Sequence, residues 1–218
     1  MKDFRFMHKQ KEWFSLALAG LSAFCVYTCM FAFRKPFTAA NYNNQFFLGI
    51  DYKVWLVVAQ TVGYTLAKFY GIGFIASLGR TSHSKKIIFF ISMGWLALLF
   101  FAITPAPYNI IFLLLNGFPL GVIYGLVFSY LEGRRSTELL GAVLATSFIF
   151  ASGFTQSAGK FVSVEWGVSQ WWMPFVTGSI FFIPTIFFTW LLGKTPAPTA
   201  TDVALRTERT AMNGEERK

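Results

Sequence analysis

Arg34-Lys35-Pro36-Phe37 stands at the far end of an apolar run that begins near Phe14 and holds no charge of its own. About 20 apolar residues cross the hydrocarbon core as a helix. A cation at or inside that boundary is costly, so it faces a bundle interior or water and tends to have a function. The Arg34 guanidinium offers a planar fork of donors matching two oxygens of a phosphate or carboxylate. The second such cation is Lys68, well inside the next run in Gly63-Tyr64-Thr65-Leu66-Ala67-Lys68-Phe69 and too deep to snorkel easily. An ammonium there must face a cavity, meet an anion or lose its proton. No Asp or Glu lies within any apolar run: Glu132 and Glu138 bracket one loop, and Asp51 sits in another. The two cations therefore read as the walls of an aqueous cavity that receives an anionic substrate. Bland alternatives stay open. Lys68 would then bond to backbone carbonyls and Gln60, Tyr64 or Tyr124, and Arg34 would hold lipid headgroups with Lys35. Lys160, near the end of a later run, reads as snorkelling.

These side chains need a bilayer-spanning scaffold, and the composition supplies one. The 218 residues are 55% hydrophobic and include 27 phenylalanines. Charge is nearly absent from six runs at about 14–35, 54–76, 87–104, 110–131, 139–162 and 170–192. That pattern predicts an all-α membrane protein with six transmembrane helices. Residues 1–192 form the transmembrane domain, after a short basic tail over 1–12, and 193–218 read as a cytoplasmic linker or surface segment. The net charge of +9 comes from loops and tails, a topology signal rather than a nucleic-acid surface. The N-terminal tail, the 80–86 loop, Arg134-Arg135 and the C-terminal tail hold most of the Lys and Arg, against Arg34, Lys35 and Lys53 on the other side. Both termini are thus expected in the cytoplasm. Trp13 and Trp190 mark the inner interface, Trp55, Trp166, Trp171 and Trp172 the outer, and only Trp95 is deep.

Other motifs say less. Cys25 and Cys29 read as small packing residues. Gly117, Gly121 and Gly125, around Pro119, form a ladder that lets another helix approach closely. No metal-ligand cluster, no nucleophile–base pairing and no cofactor motif stands out, which argues against an enzyme. His8 and His83 lie in inner segments, so the runs hold no evident proton relay, which favours exchange or uniport.

Several motifs together resemble the N-terminal half of a major facilitator superfamily transporter, nearest the organophosphate–phosphate antiporters. Tyr27 precedes Arg34-Lys35-Pro36-Phe37 as a tyrosine precedes that family's R-K-x-F motif. Tyr64-Thr65-Leu66-Ala67-Lys68-Phe69 stands where the family has Y-G-x-S-K-F. Gly117, Gly121 and the loop Glu132-Gly133-Arg134-Arg135-Ser136-Thr137-Glu138 ahead of Gly141 follow its fourth-helix pattern. The resemblance implies half of a twelve-helix fold, six helices related as a 3+3 inverted repeat, in a bacterial inner membrane. It implies Arg34 as the phosphate ligand, with Lys68 and Tyr27 lining the cavity and Tyr64 adding a hydrogen bond. It also implies a C-terminal six-helix half as partner, so that the chain reads as a fragment, the alternative being a six-helix protein that dimerises. Two positions depart from the pattern. Phe150 stands where the family presents a site histidine, and Gly73-Phe74-Ile75-Ala76-Ser77-Leu78-Gly79-Arg80 lacks the loop aspartate.

The expected function is alternating-access transport of a small organic anion, phosphorylated or not. The rival is a membrane sensor, scaffold or assembly factor that kept the fold without transporting, as the two departures would suit.

Overall fold

The chain is described by a computed structural model over residues 2–43, 45–76, 83–134 and 136–198. The loop 77–82, Arg135 and the linker beyond 198 therefore lie outside the described residues. The described residues hold six α-helices: α1 (Lys2–Phe31), α2 (Tyr52–Ala76), α3 (His83–Ile103), α4 (Ile110–Phe128), α5 (Thr137–Glu165) and α6 (Met173–Gly193). Apart from α1, their bounds follow the apolar runs to within a few residues.

Five of the helices are long and apolar enough to cross a membrane, and α2 is not among them. Length is not its shortfall, since it has 25 residues. Gln60, Thr61, Tyr64, Thr65 and Lys68 occupy its middle and lower its hydropathy. This is a helical multi-pass membrane protein in which five of the six described helices are candidate spans.

Helix α1 differs from expectation at both ends. The basic tail is helical from Lys2, because nothing between there and Trp13 breaks a helix. At the other end α1 stops at Phe31, so Arg34 stands in the turn beyond it. Ala32, Phe33 and Arg34 donate to the carbonyls of Cys29, Met30 and Phe31, a tightening to three-residue spacing. Pro36, lacking an N–H, cannot continue the ladder and opens a short 3-10 turn over Pro36–Ala39.

The main helix contacts are α5 on α1, α1 on α6, α6 on α3, α3 on α4 and α4 on α2, with smaller ones of α5 on α6 and α1 on α4. The closest approach is α2 on α4, where the expected glycine ladder acts. A Cβ at Gly117 would sit 2.2 Å from the Gln60 carbonyl oxygen, and one at Gly121 2.7 Å from that of Tyr64. From the other side, a Cβ at Gly63 would meet the Leu114 carbonyl oxygen at 2.1 Å. The two backbones touch, an arrangement that small residues make possible without a hydrophobic driving force.

The segment between α1 and α2 covers one end of the bundle. It carries the 3-10 turn and a two-stranded antiparallel hairpin, β1 (Phe46–Phe47) with β2 (Ile50–Asp51), paired Phe46 to Asp51 and Phe47 to Ile50. Tyr42 and Tyr52 are buried beneath it against Trp171. The Tyr42 N–H donates to Gln170 Oε1 at 3.1 Å, and the Tyr52 hydroxyl donates to Asn109 Oδ1. Trp166 and Trp172 are exposed at this end, while Trp13 and Trp190 are exposed at the other. Trp95 is half-buried between Phe175 and Phe182 and donates to Ser179 Oγ at 2.9 Å.

Candidate functional site

The turn that carries Arg34 is held from three sides. Backbone carbonyls at the end of a helix have no intrahelical partner, and in hydrocarbon an unsatisfied carbonyl costs several kcal/mol. Here two buried amides supply the missing donors. Asn116 of α4 gives its Nδ2 hydrogens to the carbonyls of Phe33 (3.2 Å) and Gly94 (2.9 Å). Gln60 of α2 gives its Nε2 hydrogens to the Arg34 carbonyl (3.1 Å) and to Asn116 Oδ1 (2.8 Å). On the third side α5 closes in. Gln156 Nε2 donates to Thr38 Oγ1 at 2.7 Å, and a Cβ at Gly159 would lie 2.9 Å from Pro36 Cβ. The Arg34 backbone is thus fixed by α2, α4 and α5 together.

Its side chain turns to Tyr64. The guanidinium carbon of Arg34 lies 3.9 Å from the centre of the Tyr64 ring and 5.8 Å from that of Phe31. The Lys68 ammonium, one helical turn along α2, lies 5.0 Å from the centre of the same Tyr64 ring. The Tyr64 hydroxyl is 3.3 Å from that of Tyr27. The structure therefore brings together all four residues singled out from the sequence, Arg34, Lys68, Tyr27 and Tyr64, with Tyr64 at their centre. Tyr27 is buried, Arg34 and Tyr64 are half-buried, and Lys68 is exposed.

Cation–π contact stabilises each cation by about 0.5–2 kcal/mol, depending on desolvation, but it does not cancel charge. Among the described residues neither Arg34 nor Lys68 pairs with a carboxylate. Lys35, beyond the end of α1, is half-buried, and burial first and the Arg34 charge second lower its pKa from the usual lysine range. Lys160 is exposed near the end of α5, beside a polar cavity of about 290 Å³ lined also by Asn41, Asn43 and Gln170. A second cavity, apolar and about 420 Å³, lies between α1 and α5 around Trp13, Gly20 and Leu140. Neither of these two cavities is lined by any of the four site residues.

Around the cations the surroundings are rings. Tyr27 meets Phe148 of α5 at 4.6 Å and Tyr124 of α4 at 5.7 Å between centroids, and Phe31 meets Phe148 at 6.2 Å. Phe148 thus supplies the α5 ring of this cluster. Phe150, which stands where the resembled family presents its site histidine, packs on Phe24 and Phe154. Along α5 the buried positions Ser147 and Ala151 lie between them and turn the two rings to opposite flanks of that helix. Sequence reasoning passed over Asn116 as well. Its signal was a lone amide in the otherwise apolar Ile110–Leu115 and Phe118–Leu120 surroundings, where a polar side chain needs a partner.

Fold and site together define a multi-pass helical membrane protein with two cations gathered on one tyrosine. The chain belongs to DUF5690, a family of unknown function whose sequence pattern matches residues 36–218. Tyr64 and Lys68 fall inside the matched span, while Tyr27 and Arg34 precede it. No curated protein and no solved structure matches the chain.

Proposed function

We propose that this protein carries a small organic anion across a membrane by alternating access, with Arg34 as the principal anion ligand. The observation that carries the reading is the pair Arg34 and Lys68, both over the Tyr64 ring and both without a carboxylate partner among the described residues. Positive charge left uncompensated at membrane depth is expensive to keep, and a transported anion is the partner that would cancel it in turn on each side. Arg34 holds the anion through its fork, Lys68 adds charge, and Tyr27 and Tyr64 position the guanidinium.

All six helices span in this proposal, with both termini cytoplasmic in a bacterial inner membrane. The helix packing supports a 3+3 arrangement. Exchanging α1 with α4, α2 with α5 and α3 with α6 maps the pair α1–α5 onto α2–α4 and the pair α1–α6 onto α3–α4, and leaves α3–α6 and α1–α4 in place, while the smaller α5–α6 contact has no such counterpart. Such inverted repeats place substrate sites at the repeat interface. The resemblance to one half of a major facilitator superfamily antiporter points the same way, and in that reading a second six-helix half completes the cavity.

The test is counterflow in proteoliposomes that hold the full-length protein, with a panel of carboxylate and phosphate-ester anions. Arg34→Lys keeps the charge and loses the fork, and it is expected to cut exchange at least tenfold. Exchange that survives Arg34→Lys unchanged would remove Arg34 from the site. Arg34-dependent binding with no movement across the bilayer would identify the rival, a sensor or scaffold that kept the fold.

A further inference from the structure

We infer that the anion taken at this site has a flat apolar body, an aromatic carboxylate or aryl phosphate, and not a polyhydroxylated one such as a sugar phosphate. The inference rests on the anion-site reading above and concerns what lies beyond the charged head. A guanidinium stacked on a ring presents its donors at its edge. The Arg34 guanidinium carbon lies over the Tyr64 ring, 3.9 Å from its centroid. An anion at that edge extends its body over the neighbouring surface, and that surface is aromatic. Phe31 lies 5.8 Å from the guanidinium carbon, and Phe148 stands 6.2 Å from Phe31 in a near-parallel arrangement at 24°. Tyr124 packs on Phe148 at 5.6 Å, so rings from α1, α4 and α5 continue one another. Phe31 is buried, while Phe148 and Tyr124 are half-buried and keep part of their surface open.

The Tyr27 OH is buried and shares a hydrogen bond with the Tyr64 OH, and Phe31 and Phe148 carry no polar atom on their rings, so a substrate hydroxyl set against those two rings would lose water and gain little. A planar ring set there stacks, and each good aromatic contact favours it by about threefold to tenfold over an aliphatic body of equal charge. The specificity sits on α5 at Phe148, a position that the sequence pattern alone did not single out.

Equilibrium binding to the full-length protein in lipid nanodiscs separates the possibilities, using matched pairs that share a head and differ in body. Phenyl phosphate is compared with glycerol 3-phosphate, and benzoate with lactate. The aromatic member of each pair is expected to bind about tenfold tighter. Both phosphates should lose binding in Arg34→Gln. Phe148→Leu keeps an apolar side chain and removes the ring, and it should weaken phenyl phosphate several-fold more than glycerol 3-phosphate. Equal affinities within each pair, both dependent on Arg34, would overturn the aromatic-body inference and leave the anion site standing. A Phe148→Leu variant that weakens both phosphates alike would do the same. Binding of phenyl phosphate that ignores Arg34→Gln, or no binding of any probe, would overturn the anion-site reading beneath it.

Discussion

Tyr64 touches each of the other three site residues: Arg34 and Lys68 over its ring and Tyr27 through its hydroxyl. Its ring and its hydroxyl do different work, so they can be separated. Tyr64→Phe deletes only the 3.3 Å contact with Tyr27, a neutral hydrogen bond of about 1 kcal/mol or less. Tyr64→Leu deletes the platform beneath both cations. Binding of phenyl phosphate, measured by titration, is expected to fall no more than about fivefold in the first variant and at least tenfold in the second. Equal losses would mean that the hydroxyl, not the ring, organises the cluster. The four residues were legible in the sequence because charge and hydroxyls in apolar runs stand out by type alone. Their shared contact on Tyr64 was not legible, because it depends on where α1 ends. A cation four residues further along a continuing helix would point elsewhere. Pro36 and the amides of Asn116 and Gln60 decide that ending, and amide pairing between helices leaves no periodic trace.

At the scale of elements, the contact of α2 with α4 is the one least tolerant of volume. Gly117→Ala would bring a Cβ to 2.2 Å from the Gln60 carbonyl oxygen, and Gly121→Val would meet Ala67 Cβ at 2.6 Å. Each forces the helices apart and is expected to destabilise by about 1–3 kcal/mol or more. Separation would also pull Gln60 away from Asn116 and the Arg34 carbonyl, so anion binding should weaken in step with the melting temperature. Gly153→Ala on α5 is the control, since a Cβ there meets nothing within 4 Å. Thermal unfolding in detergent should show a clear drop for the first two variants and no loss for the third. A neutral Gly117→Ala would contradict the backbone contact. The ladder was readable from spacing on α4, but its partner was not. Gly63 and Ala67 are unremarkable on α2 until Leu114 and Gly121 are set against them.

For the whole molecule, six apolar runs predicted six helices because length and hydropathy are local properties of a chain in lipid. The order of packing is a tertiary property and left no comparable mark. The tail over 1–12 illustrates the same limit, since charge alone does not stop a helix and α1 runs through it. Orientation is the remaining global quantity, argued from the distribution of Lys and Arg and from tryptophans exposed at both ends. With Cys25 and Cys29 replaced by alanine, a cysteine at exposed Tyr108 is expected to react with a membrane-impermeant maleimide on spheroplasts. A cysteine at exposed Leu139, close to the start of α5, is expected to react only after the cells are opened. The reverse pattern would invert the topology.

Low hydropathy in α2, combined with its backbone-close seat on α4, has a bearing on biogenesis. A helix with Gln60 and Lys68 in its middle partitions poorly into lipid when it leaves the ribosome alone. Gln60 can reach the Arg34 carbonyl at once, but its second partner, Asn116, lies 56 residues further on and emerges only after α3 has been made. If α2 spans as proposed, its late partner predicts that it settles into the bilayer beside α4 and not on its own.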